Sequence, residues 1–221
     1  ITGSGKTLVF INMIKYVISK GYKAIVLIPE ISLTYQTVLR MAEHFGDRVA
    51  IINSKLSKNE KFYQFERIKN DDADVIIGPR SAIFAPVKNL GLIVIDEEHD
   101  SAYKNENVPT FNVRDVAEKL SEITDASLVL ASATPTPETY NRAMEKEIKL
   151  LELKTRAKNT SLPKVSIVDM RDELKRGNRS IFSDKLRTLI EDRLKKHEQI
   201  MLFMNRRGYS SFVSCRSCGE A

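Results

Sequence analysis

The strongest constraint on the fold is a rhythm: short apolar runs rich in Val, Ile and Leu alternate with longer segments whose apolar residues recur at helical spacing. Lys23–Ile28, Arg48–Ile52, Asp74–Ile77, Leu92–Ile95 and Ser127–Ala131 read as strands. Thr7–Lys20 reads as a helix carrying Leu8, Ile11, Ile14, Val17 and Ile18, stopped by Gly21. Ser32–Phe45, Ser57–Asn70, Asn112–Ile123 and Pro137–Glu145 read as further helices, and Leu150–Leu153 as another strand. Repeated βα units of this length predict an α/β fold, a parallel sheet covered by helices on both faces.

A polar, basic stretch over 155–164 ends in Leu162-Pro163 and reads as a linker. Beyond it, Val165–Met170 and Gln199–Met204 are predicted strands. Between them Ser183–Lys196 is a predicted helix with Ser183 as its N-cap. The expected organisation is one domain over 1–154, the linker over 155–164, and the start of a second α/β domain over 165–221.

Composition removes several classes. With 42% hydrophobic and 29% charged residues, the chain is neither disordered nor a coiled coil in character. No apolar run approaches the roughly 18 residues of a membrane span. Two cysteines argue against a disulfide framework and for a reducing compartment, so a cytoplasmic location is expected. The opening residues lack a basic leader and a small-residue cleavage site, so no secretory leader is expected. Lys plus Arg outnumber Asp plus Glu by 35 to 29, a net +6 compatible with a polyanionic partner.

Two motifs carry chemistry. Thr2-Gly3-Ser4-Gly5-Lys6-Thr7 fits the end of G-x-x-x-x-G-K-[ST], whose first glycine would fall one place before Ile1. Gly3 and Gly5 let backbone amides wrap a phosphate, and the helix that follows adds its positive end. Lys6 is then expected on the β- and γ-phosphates of ATP and Thr7 on Mg²⁺. The plain alternative is a flexible Gly/Ser turn before an ordinary helix. The second motif, Asp96-Glu97-Glu98-His99, follows the apolar run Leu92–Ile95. Acids there stand at the carboxyl edge of a parallel sheet, where ligands collect. Asp96 is expected to hold Mg²⁺ through water, and Glu97 to orient and activate the attacking water.

Cys215 and Cys218, with Gly219 behind them, are zinc ligands, a redox pair or plain thiols. A redox pair would open a helix in a thioredoxin-like unit, which does not surround them. A turn of this kind fits a zinc knuckle whose other ligands lie outside the chain. Each end therefore cuts a motif, and the chain is expected to be an internal stretch of a longer protein.

The order T-G-S-G-K-T, D-E-E-H, then Ser132-Ala-Thr134-Pro135 resembles superfamily 2 helicases. Leu27–Thr34, Gly78-Pro-Arg80-Ser-Ala82, Asp96–Lys104, Asn205-Arg-Arg-Gly-Tyr209 and the Cys-x-x-Cys narrow the resemblance to the primosomal N′ family of bacterial replication-restart helicases. Tyr35 and Pro79 depart from the family pattern where Pro and Thr are usual. The resemblance implies a RecA-like P-loop domain and the incomplete start of a second one. It implies an ATP-dependent 3′→5′ DNA helicase acting on stalled forks and D-loops, with zinc as a further cofactor. Single-stranded-DNA-binding protein and primosome components are the implied partners. It also implies that the arginine contacting the γ-phosphate lies outside this chain, so the stretch alone should hydrolyse ATP poorly.

Other residues are assigned with the resemblance in view. Ser132 and Thr134 are expected to couple hydrolysis to movement, with Thr134 or Thr136 capping the next helix as the alternative. His99 is expected to relay between the sites. Tyr103 and Phe111 lie in a loop, 101–111, where they are expected to stack on bases while Lys104 and Arg114 meet phosphate. Packing of both rings on the core is the alternative. Arg80 is a candidate phosphate contact or a surface ion pair, and Arg206 and Arg207 are expected to face nucleic acid or an interdomain cleft. For Glu30 and Thr34 a DNA-side loop and helix capping stay open. Two other classes compete: a nucleotide-dependent switch without unwinding activity, which needs the same phosphate loop, and a zinc-ribbon binding module, which needs none of it. The D-E-E-H motif alone does not choose DNA over RNA.

Overall fold

The computed structural model describes residues 4–30, 32–33, 35–156 and 163–203. Contacts divide the chain into two units, Ile1–Thr160 and Ser161–Ala221. The first begins with helix α1 (Lys6–Ser19), followed by β1 (Lys23–Leu27), α2 (Tyr35–Phe45), β2 (Val49–Ile51), α3 (Lys58–Lys69), β3 (Val75–Gly78) and β4 (Leu90–Asp96). A small antiparallel hairpin, β5 (Lys104–Asn105) and β6 (Phe111–Asn112), precedes α4 (Val113–Thr124), β7 (Ser127–Ala131) and α5 (Pro137–Met144).

Five strands form one parallel sheet in the order β2-β3-β1-β4-β7. The chain leaves β1 toward one edge and then returns to lay β4 on its other side. The α1–β1 unit and the carboxyl end of β4 thereby meet where the winding reverses, the place at which open α/β sheets bind ligands.

Both faces of the sheet are covered, so its strands read as unbroken apolar runs. The alternation survives underneath. Ile25, Leu27, Ile76, Ile93 and Ile95 pack toward Ile68 of α3 and Val113 and Ala117 of α4. Ala24, Val26, Val75, Ile77, Leu92 and Val94 pack toward Phe10, Ile11 and Ile14 of α1 and Met41 of α2. Burying each of the larger of these side chains stabilises the fold by about 1.5–3 kcal/mol before entropy is counted. Local signals fix the helix starts: Ser57 and Glu60 form a reciprocal capping box on α3, and Asn112 and Thr136 cap α4 and α5.

Gly78, at the end of β3, leaves no room for a side chain. A Cβ there would lie 2.6 Å from the Ile52 carbonyl oxygen and 2.8 Å from the Ala82 Cβ. Gly78→Ala is expected to lower stability by ~1–3 kcal/mol, the usual range for overpacking. Denaturant unfolding of the altered and unaltered chains checks this.

Three expected strands are absent. Residues 150–153, 163–169 and 199–203 carry no strand, and Val165, Ile167, Met201 and Phe203 are largely exposed. β-propensity alone does not make a strand: its N–H and C=O groups need a neighbour, and none lies beside these segments among the described residues. The second unit instead shows α6 (Met170–Lys175) and α7 (Asp184–Lys195), the latter capped by Ser183 as its sequence indicated. Most of the expected linker, residues 157–162, lies outside the described residues.

Candidate active site

The phosphate loop enters α1 at Gly5, whose φ of 90° lies in the left-handed region that glycine adopts without strain. No side chain caps α1, and no acid stands in its first turn. Its leading amides and positive end are left for an anion. Ser4 Oγ is buried without a hydrogen-bond partner. An orphaned hydroxyl in a loop of this kind fits a phosphate oxygen as its missing partner. Thr2 and Gly3 lie outside the described residues.

β4 delivers Asp96 to the sheet edge beside this loop. Lys6 Nζ donates to Glu97 Oε1 at 2.8 Å and lies 3.8 Å from Asp96 Oδ1. Glu97 has φ 49°, in the left-handed region, so the chain reverses immediately after the strand. A non-glycine residue held there costs on the order of 1–3 kcal/mol and is characteristic of functional turns. Burial raises the Asp96 carboxyl above its ordinary range, and the Glu97 charge adds to this, while the Lys6 charge and the Glu97 amide oppose it. The donor set suits magnesium: a hard carboxylate, with the Thr7 hydroxyl one residue beyond Lys6. Among the described residues there is no cluster of three or more His, Cys, Asp or Glu side chains that would hold a metal ion by itself.

The turn after Glu97 meets the end of β7. His99 Nδ1 and Ser132 Oγ lie 2.7 Å apart, and Ser132 Oγ accepts the Thr134 amide at 2.9 Å. His99 also lies 3.6 Å from Glu97 Oε2. The structure thus brings Lys6, Asp96, Glu97, His99 and Ser132 into one constellation. Thr136, rather than Thr134, caps α5.

The aromatic loop is built differently from the expectation. Tyr103 is 2% exposed, and its hydroxyl lies 2.9 Å from the Leu27 carbonyl and 2.7 Å from that of Asp96. Burial and nearby acids push its phenol well above the ordinary value. Its ring is therefore enclosed beneath the hairpin and not offered to a base. Phe111 is half-buried, edge-on to Phe84 at 5.3 Å between centroids. Arg80 donates to the Ala102 and Lys104 carbonyls at 3.2 and 3.0 Å, bracing the hairpin instead of standing free for a phosphate. Arg114 is turned inward to Glu98, 3.1 Å away. For Tyr103 and Arg114, polar partners inside the fold take up the groups expected to meet nucleic acid. Lys104 remains exposed. Glu30 accepts from Ser54, while Thr34, Arg206, Arg207, Cys215 and Cys218 lie outside the described residues.

Sequence reasoning missed Glu98 as a separate element. It is 2% exposed and bonded to Arg114, Thr136 and Thr139. The available signal was a second glutamate directly after the one assigned to water.

The chain resembles known proteins over most of its length. The DEAD/DEAH box helicase family model matches residues 1–143. A replication restart protein PriA of Bacillus subtilis is 50% identical over 219 residues, 99% of this chain and 27% of that protein. Those of Synechocystis and Chlamydia muridarum are 45% and 44% identical, each over 99% of this chain and over 27% and 29% of theirs. The chain thus spans under a third of the length of these relatives. Among solved structures, RecG bound to a three-way DNA junction matches at TM-score 0.47 and 26% identity, over 66% of this chain and 18% of that one. With its phosphate loop, its acidic strand end and the Ser132 turn bonded together, the chain belongs to the DEAD/DEAH box helicase family.

Proposed function

We infer that this chain is the nucleotide-hydrolysing core of an ATP-dependent 3′→5′ DNA helicase of replication restart. The observation that carries the reading is the Lys6–Glu97–Asp96 cluster beside an uncapped helix start. The Lys6 ammonium and the α1 amides bind the β- and γ-phosphates, and Ser4 supplies a further contact. Thr7 and Asp96 hold magnesium, which when bound neutralises charge on the phosphates. Glu97 orients the attacking water and takes its proton. The His99–Ser132 contact ties this chemistry to the segment leading into α5. Phosphoryl transfer asks little else of a protein than positioning and charge neutralisation.

The rest of the reading concerns the intact protein. Its relatives are named replication restart proteins, which supports a role in restarting replication; we extend this to reloading at stalled forks and D-loops in the cytoplasm, alongside single-stranded-DNA-binding protein and primosome components. Residues 165–221 open a second motor domain, in which Cys215 and Cys218 supply part of a zinc site and Arg206 and Arg207 approach nucleic acid or the cleft. ATP hydrolysis by the intact protein, measured with and without forked DNA, tests this reading. Stimulation by the fork is expected. A rate indifferent to DNA would favour a nucleotide-dependent switch.

A further inference from the structure

Tyr103 is a buried aromatic residue that no step above uses. It is 2% exposed and packs in the core layer that holds Ile25, Ile93 and Ile95. A phenylalanine would fill the same space without burying a hydroxyl, so packing does not account for the oxygen. That oxygen stands between two strand ends. The register of β1 with β4 stops at Leu27 and Ile95. Beyond it the Ile28 amide donates to the Gly78 carbonyl of β3, while Asp96 is paired with Ala131 of β7. The Tyr103 hydroxyl lies where the two strands part, 2.9 Å from the Leu27 carbonyl and 2.7 Å from that of Asp96.

The Asp96 carbonyl belongs to the Asp96–Glu97 peptide. A peptide group is planar, so a hold on its oxygen also orients the N–H at its other end. That N–H, on Glu97, donates to Asp96 Oδ1 at 3.0 Å. The phenol therefore aims the Asp96 carboxylate without touching it: hydroxyl to carbonyl, carbonyl to amide through one rigid plane, amide to carboxylate. The phenol is held in its turn. Arg80 Nη1 donates to the carbonyls of Ala102 and Lys104, the residues on either side of Tyr103, at 3.2 and 3.0 Å. The Asp100 carboxylate accepts the Ala102 amide at 2.8 Å. Groups behind a metal ligand orient it, and losing them weakens the metal more than it weakens the fold around it.

We propose that Tyr103 is a positioning residue for the magnesium–nucleotide site: its hydroxyl fixes the Asp96–Glu97 peptide plane, which aims the Asp96 carboxylate and so sets how tightly magnesium is held with the nucleotide. This rests on the reading of Asp96 as a magnesium ligand.

The test uses the intact protein without DNA. Binding of a fluorescent, non-hydrolysable ATP analogue is titrated against magnesium, and measured again in EDTA, for the unaltered protein, Tyr103→Phe and Asp96→Asn. In Tyr103→Phe the magnesium giving half-maximal binding is expected to rise ~10-fold, the low end of what losing a partner behind a metal ligand costs. Binding in EDTA should be unchanged, because Lys6 and the α1 amides are untouched. Asp96→Asn should raise the magnesium requirement at least as far. A hydroxyl with a purely structural role would lower thermal stability and leave the magnesium requirement where it was, or weaken binding alike with and without magnesium; either result overturns the positioning role. If Asp96→Asn also leaves the requirement unchanged, the reading of Asp96 as a ligand fails, and the role of Tyr103 with it. Should Tyr103→Phe not fold, Arg80→Met, which loosens the turn carrying Tyr103, decides in the same way: a raised requirement supports the role and an unchanged one overturns it.

Discussion

Lys6→Ala is expected to lower ATP turnover of the intact protein by at least ~100-fold, the scale of a lost electrostatic contact to a developing charge. Among the described residues, Lys6 is the lysine paired with both acids of the site, 2.8 Å from Glu97 and 3.8 Å from Asp96. Without it the two carboxylates meet the incoming phosphates with no ammonium between them. Nucleotide binding should weaken as well, because the proposed function puts the same ammonium on the phosphates before hydrolysis. Steady-state kinetics separates the two effects, and a variant that keeps normal turnover would remove Lys6 from the mechanism.

Glu97→Gln should behave differently. The amide keeps the size and a hydrogen-bonding oxygen but cannot take a proton. Turnover is expected to fall by at least ~100-fold, as for loss of a positioned general base. Nucleotide binding should remain close to that of the unaltered protein, since Lys6 and the α1 amides are intact. Near-normal hydrolysis by this variant would refute the assignment.

Much of the site was legible because its chemistry requires particular residues in a fixed order. A glycine-lysine-threonine turn opening a helix, and acids closing an apolar strand, place Lys6, Asp96 and Glu97 before any coordinates are known. The central strands were equally legible, because a strand buried on both faces tolerates only apolar residues. The aromatic loop was not. Tyr103 looked like a base-stacking ring because sequence gives a side chain's type but not its direction, and in the fold its hydroxyl turns inward to the carbonyls of Leu27 and Asp96. Arg80 and Arg114 show the same limit: a guanidinium suits a phosphate, and it suits a backbone carbonyl or a buried carboxylate equally well. The strands expected over Val165–Met170 and Gln199–Met204 failed, in the part the structure describes, for a second reason. Pairing partners are a property of the fold and are not encoded in the segment itself.

A crystal structure of the intact protein with magnesium and a non-hydrolysable ATP analogue tests the central claim most directly. The account predicts the β- and γ-phosphates on the α1 amides and Lys6, the Lys6 ammonium drawn from Glu97 toward them, and magnesium between the phosphates and Asp96. A triphosphate bound elsewhere, or magnesium remote from Asp96, would contradict it.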